Sequence, residues 1–326
     1  MSQLVTIFGG SGFVGRHIAQ RMAKEGWRVR VAVRRPNEAM FVKPYGAVGQ
    51  VEPVFCNIRD DASVKSAMQG SDAVVNCVGI LANRGKNTFG SVQHEGAERI
   101  ARIAAAEGVG RMVHVSAIGA DAGSASHYAQ SKALGEAGVL KHMPEAMILR
   151  PSVIFGQDDE FFNRFAAMAR MGPMLPIMGG NTKFQPVFVD DVAQAAVMGI
   201  KGAASGLYEL GGPEVKTLRG WIDEMLEVIH RKRAVINLPF GVGRLMAGGF
   251  GLLQAVTFGL WHNSVITGDQ LILLRSDNVV SEGTKGFEAL GITPLAPEAV
   301  LAEYLWRFRP SGQYDAIKDS ARNMKI

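Results

Sequence analysis

Short, mostly apolar runs at 4–8, 27–33, 51–56, 72–78, 111–115 and 146–149 are bounded by Gly, Pro, Asn or Asp and separated by amphipathic stretches. Runs of this length predict parallel strands buried on both faces. Between them the pattern predicts helices: Phe13, Ile18 and Met22 fall on one face of the first, and others cover 62–69, about 91–107 and about 126–142. Residues 36–49 read as a short connection. Strand and helix alternating at these lengths predict an α/β fold, a doubly wound parallel sheet of Rossmann type.

Beyond Gly156 the rhythm loosens. A helix is expected over 161–171, a Pro/Gly loop over 174–180, and a lead-in at 185–189 to a helix over 190–200. The run 206–210 is a further strand expected to return to the main sheet. Thr217 caps a helix reaching His230, and a terminal helix spans about 297–308. The organisation expected is one domain over 1–156, completed by strands within 185–212. A smaller C-terminal domain, for a partner or substrate, comes from 157–184 and 213–326, with its cleft at the carboxyl ends of the strands.

Between the first strand and the first helix lies Gly9-Gly10-Ser11-Gly12-Phe13-Val14-Gly15, with no spacer. A side chain at Gly9 or Gly12 would hold the backbone off a pyrophosphate. Glycine there lets the anion meet the helix amides, with Phe13 and Val14 in the first turn, and the positive end of the dipole. Gly15 allows close packing of helix on strand. The spacing G-x-x-G-x-x-G departs from the G-x-G-x-x-G fingerprint, so the next strand carries weight. About 20 residues after the glycines, where an Asp or Glu would bond the adenosine ribose, stand Arg34 and Arg35. Two guanidiniums suit a 2′-phosphate, which favours NADP(H) over NAD(H); the alternative is that strand-end arginines sit in solvent.

Composition narrows the partners. A chain of 326 residues, 47% hydrophobic and 20% charged, is globular. Its net charge of +5 and pI near 9.2 make acidic lipid or an acidic protein face candidate partners. No zinc-finger spacing or RNA-binding signature speaks for nucleic acid. Cys56 and Cys77 each end a predicted strand, as small core residues of a reducing compartment do. The seven histidines show no paired metal spacing, so no metal site is expected. Asp190 and Asp191 read as helix-start acids rather than a catalytic pair. With a strand beginning near residue 4, no signal or transit peptide is expected within the chain.

Tyr128 and Lys132 stand at i and i+4 in the helix after the fifth strand. A lysine beside a tyrosine favours the phenolate, lowering the phenol pKa towards the working range of a general acid or base. It can also bond the nicotinamide ribose.

Together Gly9, Gly12 and Gly15, the stretch Asn76-Cys77-Val78-Gly79, Tyr128 with Lys132, and Leu149-Arg150-Pro151 resemble the extended and atypical short-chain dehydrogenase/reductases. Within that superfamily the chain looks closest to the short-chain-dehydrogenase-like accessory subunit of respiratory complex I and its bacterial relatives. Residues 6–16, 113–119, 128–136, 149–156, 161–165 and 184–187 carry the resemblance, and 277–280 and 304–307 extend it over nearly the whole chain. It implies bound NADP(H), a structural or assembly role in NADH:quinone oxidoreductase, and complex I peripheral-arm subunits as partners. The implied location is peripheral, on the cytoplasmic face of a bacterial inner membrane or the matrix face of the mitochondrial one. Asn57 and Ile58 are then expected near the adenine, Val78 and Gly79 beside the cofactor, and Tyr128 with Lys132 on the nicotinamide ribose.

The chain also departs from that pattern. Active members carry Ser or Thr just past the fifth strand; here Ser116 lies one place early and Ala117 holds the usual position. Only about twelve residues separate Ser116 from Tyr128, with Ser124 and Ser126 as candidate substitutes. Gln93 replaces an expected asparagine and Asn57 an expected acid. The reading is a nucleotide-binding subunit without turnover. The alternative is a free-standing NADP(H)-dependent reductase or epimerase, with Tyr128, Lys132 and Ser116 catalytic and a quinone-related or sugar-nucleotide substrate.

From Leu245 to Trp261 no residue is charged, four are glycine, and Arg231-Lys232-Arg233 precede the stretch. It falls short of the roughly 20 apolar residues that span a bilayer. One reading is core packing. The other is that 240–261 docks on a partner subunit or dips into the membrane interface, its basic cluster facing anionic lipid.

Overall fold

The computed structural model describes residues 2–243, 245 and 267–314. It divides into two compact units: Met1–Ser152 with Val189–Gly211 and Val280–Pro294, and Val153–Phe188 with Gly212–Val279 and the chain from Leu295.

In the first unit seven strands form a parallel sheet. They are β1 (Leu4–Phe8), β2 (Arg28–Val33), β3 (Val51–Phe55), β4 (Ala73–Asn76), β5 (Arg111–Val115), β6 (Met147–Pro151) and β11 (Gly206–Leu210). Their order is β3-β2-β1-β4-β5-β6-β11. The chain reverses direction across the sheet between β1 and β4, the point at whose carboxyl ends doubly wound sheets bind ligands. Burial of β1 at all five positions accounts for its unbroken apolar run. Its one polar residue, Thr6, shares a hydrogen bond of 2.7 Å with Ser71.

Side chains alternate across the sheet. Met112 and Ile148 join the core beneath α2 (Asp61–Met68), α3 (Glu95–Ala106) and α4 (His127–His142). Val113 and Met147 face α6 (Val189–Lys201), where a Cβ on Gly199 would stand 2.8 Å from Val113 Cγ2. Beside α6 lies α1 (Phe13–Lys24), and Arg21 donates to both Asp190 oxygens at 2.7 Å. Asp190 thus sits in the first turn of α6, as expected of a helix-start acid, and also ties that helix to α1.

Arg150 explains part of the Leu149-Arg150-Pro151 signature. Its Nε and Nη2 donate to the buried Glu136 at 2.9 and 2.6 Å, and Nη1 lies 3.6 Å from the buried Glu209. Glu209 in turn accepts from the Ser281 amide at 2.8 Å. Residues 280–294 accordingly belong to this unit, whereas the sequence reading assigns them to the C-terminal domain.

The second unit has three two-stranded sheets among its described residues. β7 (Ile154–Phe155) pairs with β10 (Val187–Phe188), β8 (Met174–Met178) with β13 (Ala234–Leu238), and β9 (Lys183–Phe184) with β12 (Lys216–Thr217). Its core gathers Phe155, Phe162, Leu175, Ile177, Trp221 and Leu301 around α5 (Phe162–Met171), α7 (Leu218–Val228) and α9 (Pro297–Leu305). Thr217 caps α7 by accepting from the Gly220 amide at 3.1 Å. α8 (Gly268–Leu273) begins with a capping box between Thr267 and Gln270.

Two segments differ from expectation. Residues 174–180 read as a loop because of Pro176 and the glycines, yet Met174–Met178 is a strand with Leu175 and Ile177 buried in alternation. A two-stranded sheet leaves an edge on which a proline's missing donor is tolerated. Residues 36–49 contain the 3-10 turns Pro36–Tyr45, in which the buried Ala39 and Val42 stand three apart, matching the 3-10 period. No described helix is long and apolar enough to cross a membrane. Of the uncharged apolar segment, residues 246–261 lie outside those described.

Asp159 anchors the second unit. Its buried carboxylate accepts from the Gly156, Phe161 and Asn163 amides and from Tyr304 Oη at 2.6 Å. Burial raises the Asp159 pKa, and these donors work in the opposite direction. Tyr304→Phe, which removes one donor from a buried carboxylate, is expected to cost about 1–3 kcal/mol. Urea unfolding of the variant checks it, and an unchanged midpoint would contradict the anchor role.

Candidate functional site

The site begins where β1 ends. Gly9 takes φ +75°, its amide donates to Ala32 O of β2 at 3.0 Å, and a Cβ there would lie 3.2 Å from the backbone of Cys77 and Val78. The turn closes as the Gly12 amide donates to Gly9 O at 2.9 Å. Gly12 is then the N-cap of α1 and offers no side-chain cap to the amides of Phe13, Val14 and Gly15. With no acidic residue in its first turn, this helix start is open to an anion. At Gly15 a Cβ would run into Gly9 O and stand 2.7 Å from Gly10 Cα. Gly10, to which sequence reasoning assigned no role, is equally confined: a Cβ would lie 3.0 Å from both Ile7 O and Val31 Cγ1.

Arg34 and Arg35 follow β2 and are exposed. They differ in one respect: Arg35 Nη1 is paired with Glu38 at 2.9 Å, while Arg34 has no such carboxylate among the described residues. Beyond β3, the Asn57 amide donates to Ser63 Oγ at 2.9 Å and Asn57 Oδ1 accepts from the Arg59 amide at 3.2 Å. Ile58 fills the space over Gly96, where a Cβ would stand 2.9 Å from Ile58 Cδ1. These two residues therefore shape the turn after β3.

At the other end, β4, β5 and α4 bring polar groups together. Ser126 caps α4 by accepting from the Ala129 amide at 3.2 Å, and Ser124 Oγ accepts from the Ser126 amide at 3.1 Å. Both candidate substitutes for the missing serine thus take part in capping. Lys132 is buried, and its Nζ donates to Val115 O at 3.1 Å and lies 5.9 Å from the Tyr128 ring centre. A Cβ on Gly79 would come within 3.6 Å of that Nζ, so the stretch after β4 and the lysine face one another. Tyr128 meets Phe89 edge to face at 5.9 Å.

The electrostatics run against one expectation. Burial pushes the half-buried Tyr128 phenol up to about 12, instead of the lysine drawing it down. Burial likewise pulls Lys132 down to about 8, with Glu136 and Cys77 acting in the opposite sense. Desolvation disfavours both charged forms, so a neutral phenol stands beside a weakened ammonium.

Sequence reasoning gave His114 no role and undervalued Gln93. Gln93 lies in a π turn at Gly90–His94, where helical periodicity predicts plain α-helix. It accepts from Ser131 Oγ at 2.9 Å and donates to Ile80 O at 3.1 Å. A π turn inside a helix often marks a functional site. His114 is buried in β5 with Nδ1 3.1 Å from Asn76 Nδ2, and Asn76 Oδ1 accepts from the Val78 amide at 3.0 Å. That orientation makes Asn76 the donor and puts the imidazole proton on Nε2. Two places on, Ser116 Oγ is buried and has no hydrogen-bond partner among the described residues. An uncapped helix start behind a glycine turn and a hydroxyl at the strand end with no hydrogen-bond partner among the described residues together fit a dinucleotide.

The geometry is matched by what the chain resembles. Residues 5–211 match the NAD dependent epimerase/dehydratase family. The chain is 33% identical to the mitochondrial NADH dehydrogenase [ubiquinone] 1 alpha subcomplex subunit 9 of Arabidopsis thaliana, over 95% of this chain and 79% of that protein. It is 32% identical to the ceramide reductase of Caulobacter vibrioides, over 75% and 76% respectively. Among solved structures, that of gox2253 superposes with a TM-score of 0.71 at 20% identity, covering 96% of this chain and 99% of that one. At that identity the likeness speaks for the fold alone.

Burial of neutral His114 has a measurable sign. Burial, with repulsion from Lys132, lowers its pKa from 6.5 to about 3. Between these values the unfolded chain binds the extra proton, so this group makes stability rise with pH across that window. His114→Gln is expected to flatten the rise between about pH 3 and 6.5. Urea titrations at several pH values check it, and an unchanged slope would contradict the assignment.

Proposed function

The chain belongs to the NAD dependent epimerase/dehydratase family, and from that membership we propose that it is a nucleotide-binding accessory or assembly component of NADH:quinone oxidoreductase. It holds NADP(H) as a structural element and has no turnover of its own. The observation that carries this reading is the contrast between the two ends of the site. The glycine turn leaves the first amides of α1 without a side-chain cap or an acidic neighbour, which supports an anion there, while at the reacting end Ala117 stands where a carbonyl-activating hydroxyl is expected and the phenol is pushed up to about 12. Similarity to a complex I subunit over nearly the whole chain supports the same direction.

In this reading Gly9, Gly12 and Gly15 cradle the pyrophosphate with the Phe13 and Val14 amides. Asn57 and Ile58 border the adenine, Val78 and Gly79 flank the cofactor, and Tyr128 with Lys132 bonds the nicotinamide ribose. Arg34 holds the 2′-phosphate, with Arg35 partly engaged by Glu38. The bound nucleotide is a hydride carrier, but nothing in the proposal requires it to react. The partners are peripheral-arm subunits. The protein lies peripherally on the cytoplasmic face of a bacterial inner membrane, or its matrix counterpart, and 240–261 makes the membrane-surface or subunit contact.

One observation favours a second reading. The buried Ser116 Oγ has no hydrogen-bond partner among the described residues, which in this reading makes it the substrate-carbonyl donor, and a ceramide reductase is among the similar proteins. If the chain is instead a free-standing reductase, Tyr128→Phe abolishes a turnover that the accessory reading lacks.

Two experiments separate the possibilities. Affinity purification of the tagged protein from mild-detergent membranes is expected to recover complex I subunits with stoichiometric nucleotide; a lone protein would overturn the accessory reading. Arg34→Ala is expected to weaken NADPH binding about 10- to 100-fold, as loss of a charge-assisted hydrogen bond does, with little effect on NADH. Equal loss for both nucleotides would remove the 2′-phosphate assignment.

A further inference from the structure

Arg16 has no part in the reading above, yet its position is closely defined. It follows Gly15 in α1 and folds back over the glycine turn, with Nε 3.3 Å from Gly12 O and Nη2 3.4 Å from Ser11 O. Its guanidinium carbon stands 5.3 Å from the centre of the Phe41 ring. Phe41 belongs to the 3-10 turns that follow Arg34 and Arg35 directly, and its ring is 44% exposed although large and apolar. The stack therefore joins the start of α1 to the segment leaving β2.

We propose that Arg16, seated on Phe41, is a second anchor for the 2′-phosphate of NADP(H) and so sets nucleotide preference together with Arg34; this rests on the NADP(H) reading of the same site. The end of β2 is fixed beside the glycine turn by the Gly9 amide on Ala32 O at 3.0 Å, and Arg34 lies two residues further on. Arg16 reaches the same flank from the helix side, over Ser11 and Gly12. In a dinucleotide fold the adenosine ribose lies on that flank, beyond the carboxyl end of the second strand. The contact with Phe41 holds the guanidinium against the ring, and a guanidinium's planar fork of N–H groups matches phosphate oxygens. Donation to two carbonyls and the contact with Phe41 limit its rotamers before any ligand arrives. The entropy cost of ordering a long side chain on binding is correspondingly smaller.

The test measures NADPH and NADH affinity by titration on the full chain and on Arg16→Met, Arg16→Lys, Phe41→Leu and Arg34→Ala. Arg16→Met is expected to weaken NADPH roughly 10-fold, as loss of one charged phosphate contact does, with NADH changed less than about two-fold. Arg16→Lys keeps the charge but not the planar fork and should fall between wild type and Arg16→Met. Phe41→Leu should lower NADPH affinity in the same direction by a smaller factor. If Arg34→Ala weakens NADPH while Arg16→Met and Arg16→Lys do not, the Arg16 assignment fails and the NADP(H) reading stands. Equal loss of both nucleotides in Arg16→Met would mean that Arg16 supports the glycine turn, and would also overturn it. A wild-type chain that does not prefer NADPH removes the underlying reading and this assignment with it.

Discussion

The first turn of α1 lies so close to the carbonyl of Gly9 that no side chain fits at Gly15, and the nucleotide-binding unit is arranged around that contact. Gly9 can make the turn only because it adopts a positive φ and carries no Cβ towards the backbone after β4. Gly10 meets the same limit against Val31 of β2. Three neighbouring strands and one helix are thus held at backbone-to-backbone distance. A side chain at any of these positions would force the elements apart and take the amides of α1 out of reach of an anion.

Along the same carboxyl edge, at the ends of β4 and β5, the sheet supplies a different environment. Asn76 and His114 stand among buried apolar residues of β4 and β5, Ser116 follows β5, and Lys132 is held beside them by donating to the Val115 carbonyl. Burying these groups disfavours every charged form: the imidazole and ammonium are pulled down and the phenol and the Cys77 thiol pushed up. A neutral, desolvated environment of this kind suits holding a ribose and a nicotinamide ring. It suits proton transfer at neutral pH less well, because a phenol near 12 is a poor match for that task. Binding geometry without matched acid–base chemistry is the physical basis of the accessory reading.

Much of this was legible in the sequence. Parallel strands buried on both faces must be apolar runs, so β1 to β6 and β11 stand out. A glycine turn between a strand and a helix announces its own chemistry. What escaped notice depends on contacts between segments distant in sequence. His114 looks like one polar interruption of a strand until Asn76 of the neighbouring strand is seen beside it. Gln93 lies in a π turn that helical periodicity cannot reveal. Residues 280–294 join the first unit through Glu209 and the Ser281 amide, which no local pattern encodes. The direction of the Tyr128 shift was misjudged because spacing shows the neighbouring charge but not the desolvation that outweighs it.

The central claim is that the site keeps its nucleotide as a structural element rather than consuming it. The most direct measurement is the redox state of the bound nucleotide, followed by its fluorescence while the intact membrane preparation oxidises NADH and reduces quinone. The expected result is a reduced nucleotide whose signal stays constant over many turnovers. Oxidation of the bound nucleotide in step with quinone or another acceptor would contradict the account and make Ser116, Tyr128 and Lys132 working catalytic groups.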